Sequence, residues 1–344
     1  MENNSSMSSV ITSAVPNITI DPSSPANLDI SSLLLTKHMA WAKTILLFVT
    51  VLLGVFGNVM TIIIVRRFRA ASSSSAMDPY FMVLAVTDLC VVITGSFLAW
   101  VQSATGFHMR QTHEVVCKSV VFMLNVGAAC SAWILVAMTI QRAVSVAWPH
   151  RVNVLCTPRR SWWVILTIVV FFSLAYSHML YGVGVVPSAG YACIMTSQSY
   201  ALFMLNVWVN IDMFLFSLLP FACLFLSNSV LVLKLRRSVK DADDQLTTTD
   251  TQQASRERKA NSVTLTAIVV SAVFIVLTSP QAIYNTFSFK NTNSETGNVD
   301  DLALRFFLQK TFNMIGYFNY SVNFYLYCLT GEKFRKEFRK IMCE

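Results

Sequence analysis

The sequence predicts an all-α membrane protein, a bundle of seven transmembrane helices with a short amphipathic cytoplasmic helix after the last span. Three observations carry that prediction. Of the 344 residues, 54% are hydrophobic and only 13% charged, whereas a soluble domain carries about 25% charged residues. Seven apolar runs, near residues 41–66, 79–103, 115–141, 161–184, 202–233, 261–287 and 304–328, are each long enough to cross a hydrocarbon core of about 30 Å at about 1.5 Å per helical residue. The segments after runs one, three, five and seven hold nineteen of the 26 Lys and Arg residues, which the positive-inside rule assigns to the cytoplasm. Seven crossings then put the N-terminus outside. The net charge of +8 reads as topology and contact with anionic lipid, not as a nucleic-acid surface, because no basic domain presents it.

The chain divides into an extracellular tail (1–40), a seven-span domain (41–328) and an amphipathic helix with a short tail (329–344). The first segment is rich in Ser and Asn and is expected to be disordered. It lacks the basic start and apolar core of a cleaved signal peptide, so the first span serves for insertion. Three Asn-x-Ser/Thr sequons, at Asn3, Asn4 and Asn17, suit glycosylation on that side of the membrane.

Span one carries Gly57-Asn58, whose amide is the one strongly polar group in a long apolar run and must find an interhelical partner. Span two opens on Asp78-Pro79 and span four on Thr157-Pro158, each a cap followed by proline at the first helical position. Asp88 lies deep in span two, where a carboxylate costs several kcal/mol unless partnered, hydrated or neutralised. Span three begins at Cys117 and ends at Arg142, roughly 37 Å away along a helix. His178, a lone imidazole in span four, reads as a hydrogen-bonded interhelical group. Pro220 and Pro280 stand within spans five and six and are expected to kink them. The polar connection near 237–258, with Thr247, Thr248, Thr249, Thr251 and Ser255, reads as a flexible loop open to kinases. After span seven, Phe334, Phe338, Ile341 and Met342 share one face among basic residues, the pattern of a helix on the inner membrane surface. Cys343 at its end is a palmitoylation candidate, or equally a free juxtamembrane thiol. Most of the eight cysteines lie within spans or on the cytoplasmic side. Cys117 and Cys193 stand apart at predicted extracellular positions.

These motifs, taken in order, resemble a rhodopsin-like (class A) G-protein-coupled receptor over residues 41–342: Gly57-Asn58; Leu84, Ala85 and Asp88; the interval from Cys117 to Arg142; Pro220; the interval from Phe274 to Pro280; and Asn323, Phe324 and Tyr327 ahead of Gly331 and Phe334. The resemblance implies a role for each matched residue. Cys117 and Cys193 form a disulfide that ties span three to the second extracellular loop. Asp88, Ser131, Asn319 and Asn323 form a polar pocket able to hold an allosteric sodium ion at Asp88, with no other cofactor. Arg142 meets the G protein when span six, carrying Phe274 and Pro280, swings outward, and Tyr327 stabilises that state. The implied partners are an extracellular ligand, a heterotrimeric G protein, arrestin and receptor kinases acting on the third cytoplasmic loop, and membrane lipid. The implied location is the plasma membrane.

The departures are informative. Gln141-Arg142-Ala143 lacks the acidic residue that restrains the arginine, so basal signalling is expected. Thr278 stands where the family has Trp, Asn228 where it has Tyr, and Phe324 where it has Pro, and span four lacks its mid-helix Trp. The chain looks most similar to invertebrate neuropeptide and orphan receptors. Leu124 replaces the aspartate of amine receptors and Tyr317 the lysine of opsins. What remains facing a pocket, beside Leu124, is amide-rich: Asn125, Asp212, Gln281, Tyr284, Asn285, Gln309, Lys310 and Asn313. Asp212 is either the contact for a basic ligand group or the internal partner of Lys310 or Arg305. The amides suit a peptide backbone or terminal amide. A chemosensory receptor for a small cue on the same scaffold is the alternative, and a transporter or channel a more distant one. No catalytic motif is present: there is no HExxH, GxSxG or P-loop, and the five histidines lack metal-ligand spacing.

Overall fold

The computed structural model describes residues 30–71, 75–244, 251–290 and 299–343. The three sequons, and Thr247, Thr248 and Thr249, lie outside the described residues. The helices are α1 (Ile30–Ala70), α2 (Asp78–Thr105), α3 (Glu114–Ala147), α4 (Pro158–Gly182), α5 (Gln198–Lys234), α6 (Thr251–Lys290), α7 (Val299–Thr330) and α8 (Glu332–Cys343). Among the described residues, six helices are long and apolar enough to cross a membrane. The remaining long helix, α7, spends its inner half on Asn313, Asn319, Asn323 and several tyrosines, which lowers its hydropathy.

Two element ends differ from expectation. Helix α1 starts at Ile30, ahead of the expected edge at 41, because no Gly or Pro interrupts the chain between Pro25 and Gly54 and Leu, Met and Ala favour helix. The helix of α5 runs on to Asp244 and α6 begins at Thr251. The flexible connection expected over 237–258 is thus largely helical, since runs such as Lys240-Asp241-Ala242 and Glu257-Arg258-Lys259-Ala260 are good helix formers in water.

The expected caps divide. Thr157 Oγ1 accepts from Arg160 N at 3.4 Å and opens α4. Asp78 instead accepts from Ser75 N at 2.7 Å, folding the preceding turn rather than capping its own helix.

Polar ties set how the helices register. Asn58 Nδ2 donates to Tyr320 O across 2.9 Å, joining α1 to α7. Gly57 allows that approach, since a Cβ there would sit 3.0 Å from the Cβ of Phe324. The turn before Pro220 widens to π geometry over Met213–Leu218, and the helix passes through the proline. Leu219 N donates to Phe214 O, five residues back. By the same spacing Leu215 O would face Pro220, which has no N–H. Trp133 Nε1 of α3 donates to Leu215 O at 2.8 Å and satisfies it. His178 of α4 shares a hydrogen bond with Tyr200 Oη of α5 at 2.7 Å and stacks edge-on against Trp208, ring centroids 4.1 Å apart.

Where α8 follows α7, Phe334 of α8 packs against Phe68, Phe81 and Tyr327 with ring centroids 5.2 to 5.6 Å apart. Arg335 Nη1 donates to Cys328 O and Leu329 O, at 3.2 and 2.6 Å, and satisfies carbonyls that α7 leaves open at its end. Between α4 and α5, β1 (Val183–Val186) pairs antiparallel with β2 (Ala192–Met195), with Val185 opposite Cys193. Cys193 forms a disulfide with Cys117 and fastens this hairpin over α3. Glu114 repeats the tie, accepting from Val185 N at 2.7 Å.

Candidate functional site

Beneath the hairpin lies a cavity of about 700 Å³ walled by α2 to α7, within the range of about 300–1,000 Å³ typical of ligand pockets. Of the expected residues, Leu124, Asn125, Asp212, Gln281, Asn285 and Asn313 line it. Tyr284, Gln309 and Lys310 do not. Tyr284 Oη turns to α7 and donates to Arg305 O at 2.7 Å, and Lys310 emerges at the exposed outer end of α7.

The amides form a network between α6 and α7. Gln281 Nε2 donates to Asn313 Oδ1 at 3.0 Å, and Gln309 Nε2 to both Asn313 Oδ1 and Asn285 Oδ1, at 3.0 and 3.1 Å. Asn125 Nδ2 bonds back to Val121 O at 2.8 Å, leaving its carbonyl oxygen unused by that bond. Asp212 accepts a short hydrogen bond from Tyr176 Oη of α4. Neither Lys310 nor Arg305 pairs with it among the described residues, so the internal-partner reading is corrected: a neutral phenol leaves the carboxylate charge uncompensated.

Midway through the bundle, Asp88 is fully buried. Ser131 Oγ donates to its Oδ1 at 2.5 Å and Asn323 Nδ2 to its Oδ2 at 2.7 Å. Asn319, one turn above Asn323, is also buried. One carboxylate, one hydroxyl and two amide oxygens are the donor set of a hard cation, so these residues fit a sodium ion.

At the end of the bundle nearest α8, Arg142 has its Nε buried without a hydrogen-bond partner. Gln141 does not reach for it. Gln141 Nε2 donates to Ala76 O, and Gln141 Oε1 accepts from Ser161 Oγ, both at 3.2 Å. No ion-pair contact joins Asp78 and Arg142 among the described residues. Tyr327 Oη is likewise buried and unpartnered, its ring 4.9 Å from that of Phe81. Toward this end of the bundle, hydroxyls tie α6 to its neighbours: Ser271 Oγ lies 3.3 Å from Thr139 Oγ1 of α3 and 3.5 Å from Asn228 Oδ1 of α5, and Thr266 Oγ1 lies 2.8 Å from Thr330 Oγ1 of α7. Asn228 thus occupies its tyrosine's place with a role in holding α6. Phe274 is buried on the same helix against Phe221, centroids 6.1 Å apart.

The profile of the family described as 7 transmembrane receptor (rhodopsin family) matches residues 57–327. The chain belongs to that family. The receptor is 23% identical over 326 residues to sex peptide receptor-related protein 2 of Caenorhabditis elegans, covering 86% of this chain and 70% of that protein. It is 22% identical over 318 residues to the FMRFamide receptor of Drosophila melanogaster, covering 87% and 53%. It is 24% identical over 324 residues to the thyrotropin-releasing hormone receptor of Gallus gallus, covering 84% and 75%. Membership makes the protein a multi-pass membrane receptor rather than an enzyme, transporter or channel.

The receptor's cavity also contains residues that sequence reasoning missed, including Arg110, Tyr176, Trp208 and Thr278. Thr278 has a sequence signal, the unusual small residue before Pro280, and its size opens the cavity floor. Tyr176 and Trp208 have none, because an aromatic in an apolar span reads equally as lipid-facing.

Proposed function

We propose that the receptor binds an extracellular peptide in the cavity under the hairpin and activates a heterotrimeric G protein. The observation that carries this is Asp212: a carboxylate on a cavity wall, hydrogen-bonded to the neutral Tyr176, asks for a basic group from the ligand. The amide network of Gln281, Asn285, Gln309 and Asn313 supplies donors and acceptors of the kind a peptide backbone or C-terminal amide needs. The relatives, among them FMRFamide and thyrotropin-releasing hormone receptors, support a peptide over a small chemosensory cue.

In this reading the N-terminus is outside and the receptor sits in the plasma membrane, with the sequons Asn3, Asn4 and Asn17 available for glycosylation. The ligand biases α6 against α3 and α5, the hydroxyl ties of Ser271 and Thr266 give way, and Arg142 and Tyr327 exchange their partnerless burial for contacts in the open state. A sodium ion at Asp88, with Ser131, Asn319 and Asn323, would neutralise the carboxylate and favour the closed bundle. Helix α8 lies on the inner leaflet with Cys343 available for acylation. Arrestin and receptor kinases use the third cytoplasmic loop, through Thr247 to Thr249, Thr251 and Ser255.

A panel of amidated neuropeptides, applied to cells expressing the receptor with a promiscuous G protein, tests the reading. Concentration-dependent nucleotide exchange by at least one peptide is expected. Activation by small amines or odorants and by no peptide would overturn it.

A further inference from the structure

Arg110 belongs to the first extracellular connection, yet it lines the cavity. The backbone delivers it there. Helix α2 ends at Gly106, whose φ of 73° is left-handed and reverses the chain. Residues 109–111 then form a single tight turn. Phe107 N donates to Thr105 Oγ1 at 3.1 Å, Gln111 N to His108 O at 2.9 Å, and Thr112 Oγ1 to Met109 O at 2.8 Å. The turn is braced, so its arginine is placed rather than loose. Arg110 Nη2 donates to Thr94 O at 2.9 Å. Thr94 lies in a π turn of α2, Val92–Phe97, and π turns leave carbonyls open to side-chain donors.

That one bond uses one of the five N–H donors of a guanidinium. No carboxylate pairs with Arg110 among the described residues. Among the described residues, the charged side chains lining the cavity are one cation, Arg110, and one anion, Asp212, each hydrogen-bonded to a neutral partner inside the protein. A planar fork with free donors matches a carboxylate better than any neutral acceptor.

We propose that Arg110 is a ligand-binding residue that pairs with a carboxylate of the peptide, so that the ligand is dipolar, with a basic group for Asp212 and an acidic group for Arg110. This rests on the peptide reading above and narrows its ligand class to peptides that carry both charges.

The test uses the full-length receptor and a panel of amidated peptides containing Arg or Lys, each made with Asp or Glu and again with Asn or Gln at the same position. On the parent, the acidic version is expected to be roughly 10–100-fold more potent than its amide twin, the worth of one charge-assisted hydrogen bond. Arg110→Gln should erase that ratio at matched surface expression. Arg110→Glu should restore potency to a third version in which Lys replaces the acid, a gain that misfolding cannot produce. Equal potency of acidic and amide versions on the parent, or a ratio unchanged in Arg110→Gln, would overturn the proposal and leave the peptide reading standing. Activation by no peptide would overturn both.

Discussion

Replacing Gln141 by Glu gives the arginine of α3 the neighbour it lacks. Arg142 keeps a buried, unpartnered Nε, while Gln141 is engaged with Ala76 O and Ser161 Oγ. In Gln141→Glu the amide donor to Ala76 O is lost and a carboxylate oxygen faces that carbonyl, which keeps only the hydroxyl of Ser161, at 2.7 Å. That loss costs about 1 kcal/mol. Turning toward Arg142, the carboxylate gains a charge-assisted hydrogen bond worth about 1.5–3 kcal/mol. The balance, about 0.5–2 kcal/mol, favours the closed state, in which the two side chains are adjacent, and lowers the active fraction roughly 2–30-fold. Ligand-free nucleotide exchange at matched surface expression reads this directly. Gln141→Leu is the control, because it removes the tether to Ala76 without giving Arg142 a partner and should not fall below the parent. Basal exchange unchanged in Gln141→Glu would refute the idea that Arg142 lacks restraint.

Two further substitutions probe separate parts of the bundle. Trp133→Phe leaves Leu215 O without the donor that replaces the missing N–H of Pro220, and should destabilise the receptor by about 1–3 kcal/mol; an unchanged thermal midpoint in detergent would show the bond to be incidental. Asp88→Asn removes the carboxylate to which Ser131 and Asn323 donate, so added sodium should no longer lower agonist affinity, and persistence of a sodium effect would place the ion elsewhere.

Much of this architecture was legible because membrane helices announce themselves through length and hydropathy, and because a buried polar residue in lipid must be matched. Asn58 was expected to find an interhelical partner and meets Tyr320 O. His178 was expected to bond between helices and meets Tyr200. The resemblance put Asp88 with Ser131, Asn319 and Asn323; Ser131 and Asn323 donate to it, while Asn319 is buried one turn away on α7. What escaped depended on contacts that periodicity does not encode. Tyr176 approaches Asp212 from another helix, so the guess of Lys310 or Arg305 followed charge alone and chose residues too far out on α7. Arg110 is turned inward by a glycine and a set of turn hydrogen bonds, whereas a loop arginine in sequence reads as solvated. Gln141 was read only through its departure from an acidic residue, and its actual bonds to Ala76 and Ser161 required knowing that α2 and α4 begin beside it.

Asp212 carries the claim that the cavity is a peptide site, and its neutralisation tests that claim most directly. Concentration–response curves for an activating amidated peptide containing Arg or Lys, on the parent and on Asp212→Asn at matched surface expression, isolate its charge. Loss of one charge-assisted contact should shift potency by roughly 10–100-fold, with the shift largely abolished when the basic residue of the peptide is replaced by a neutral one. Equal potency on the two receptors would contradict the account.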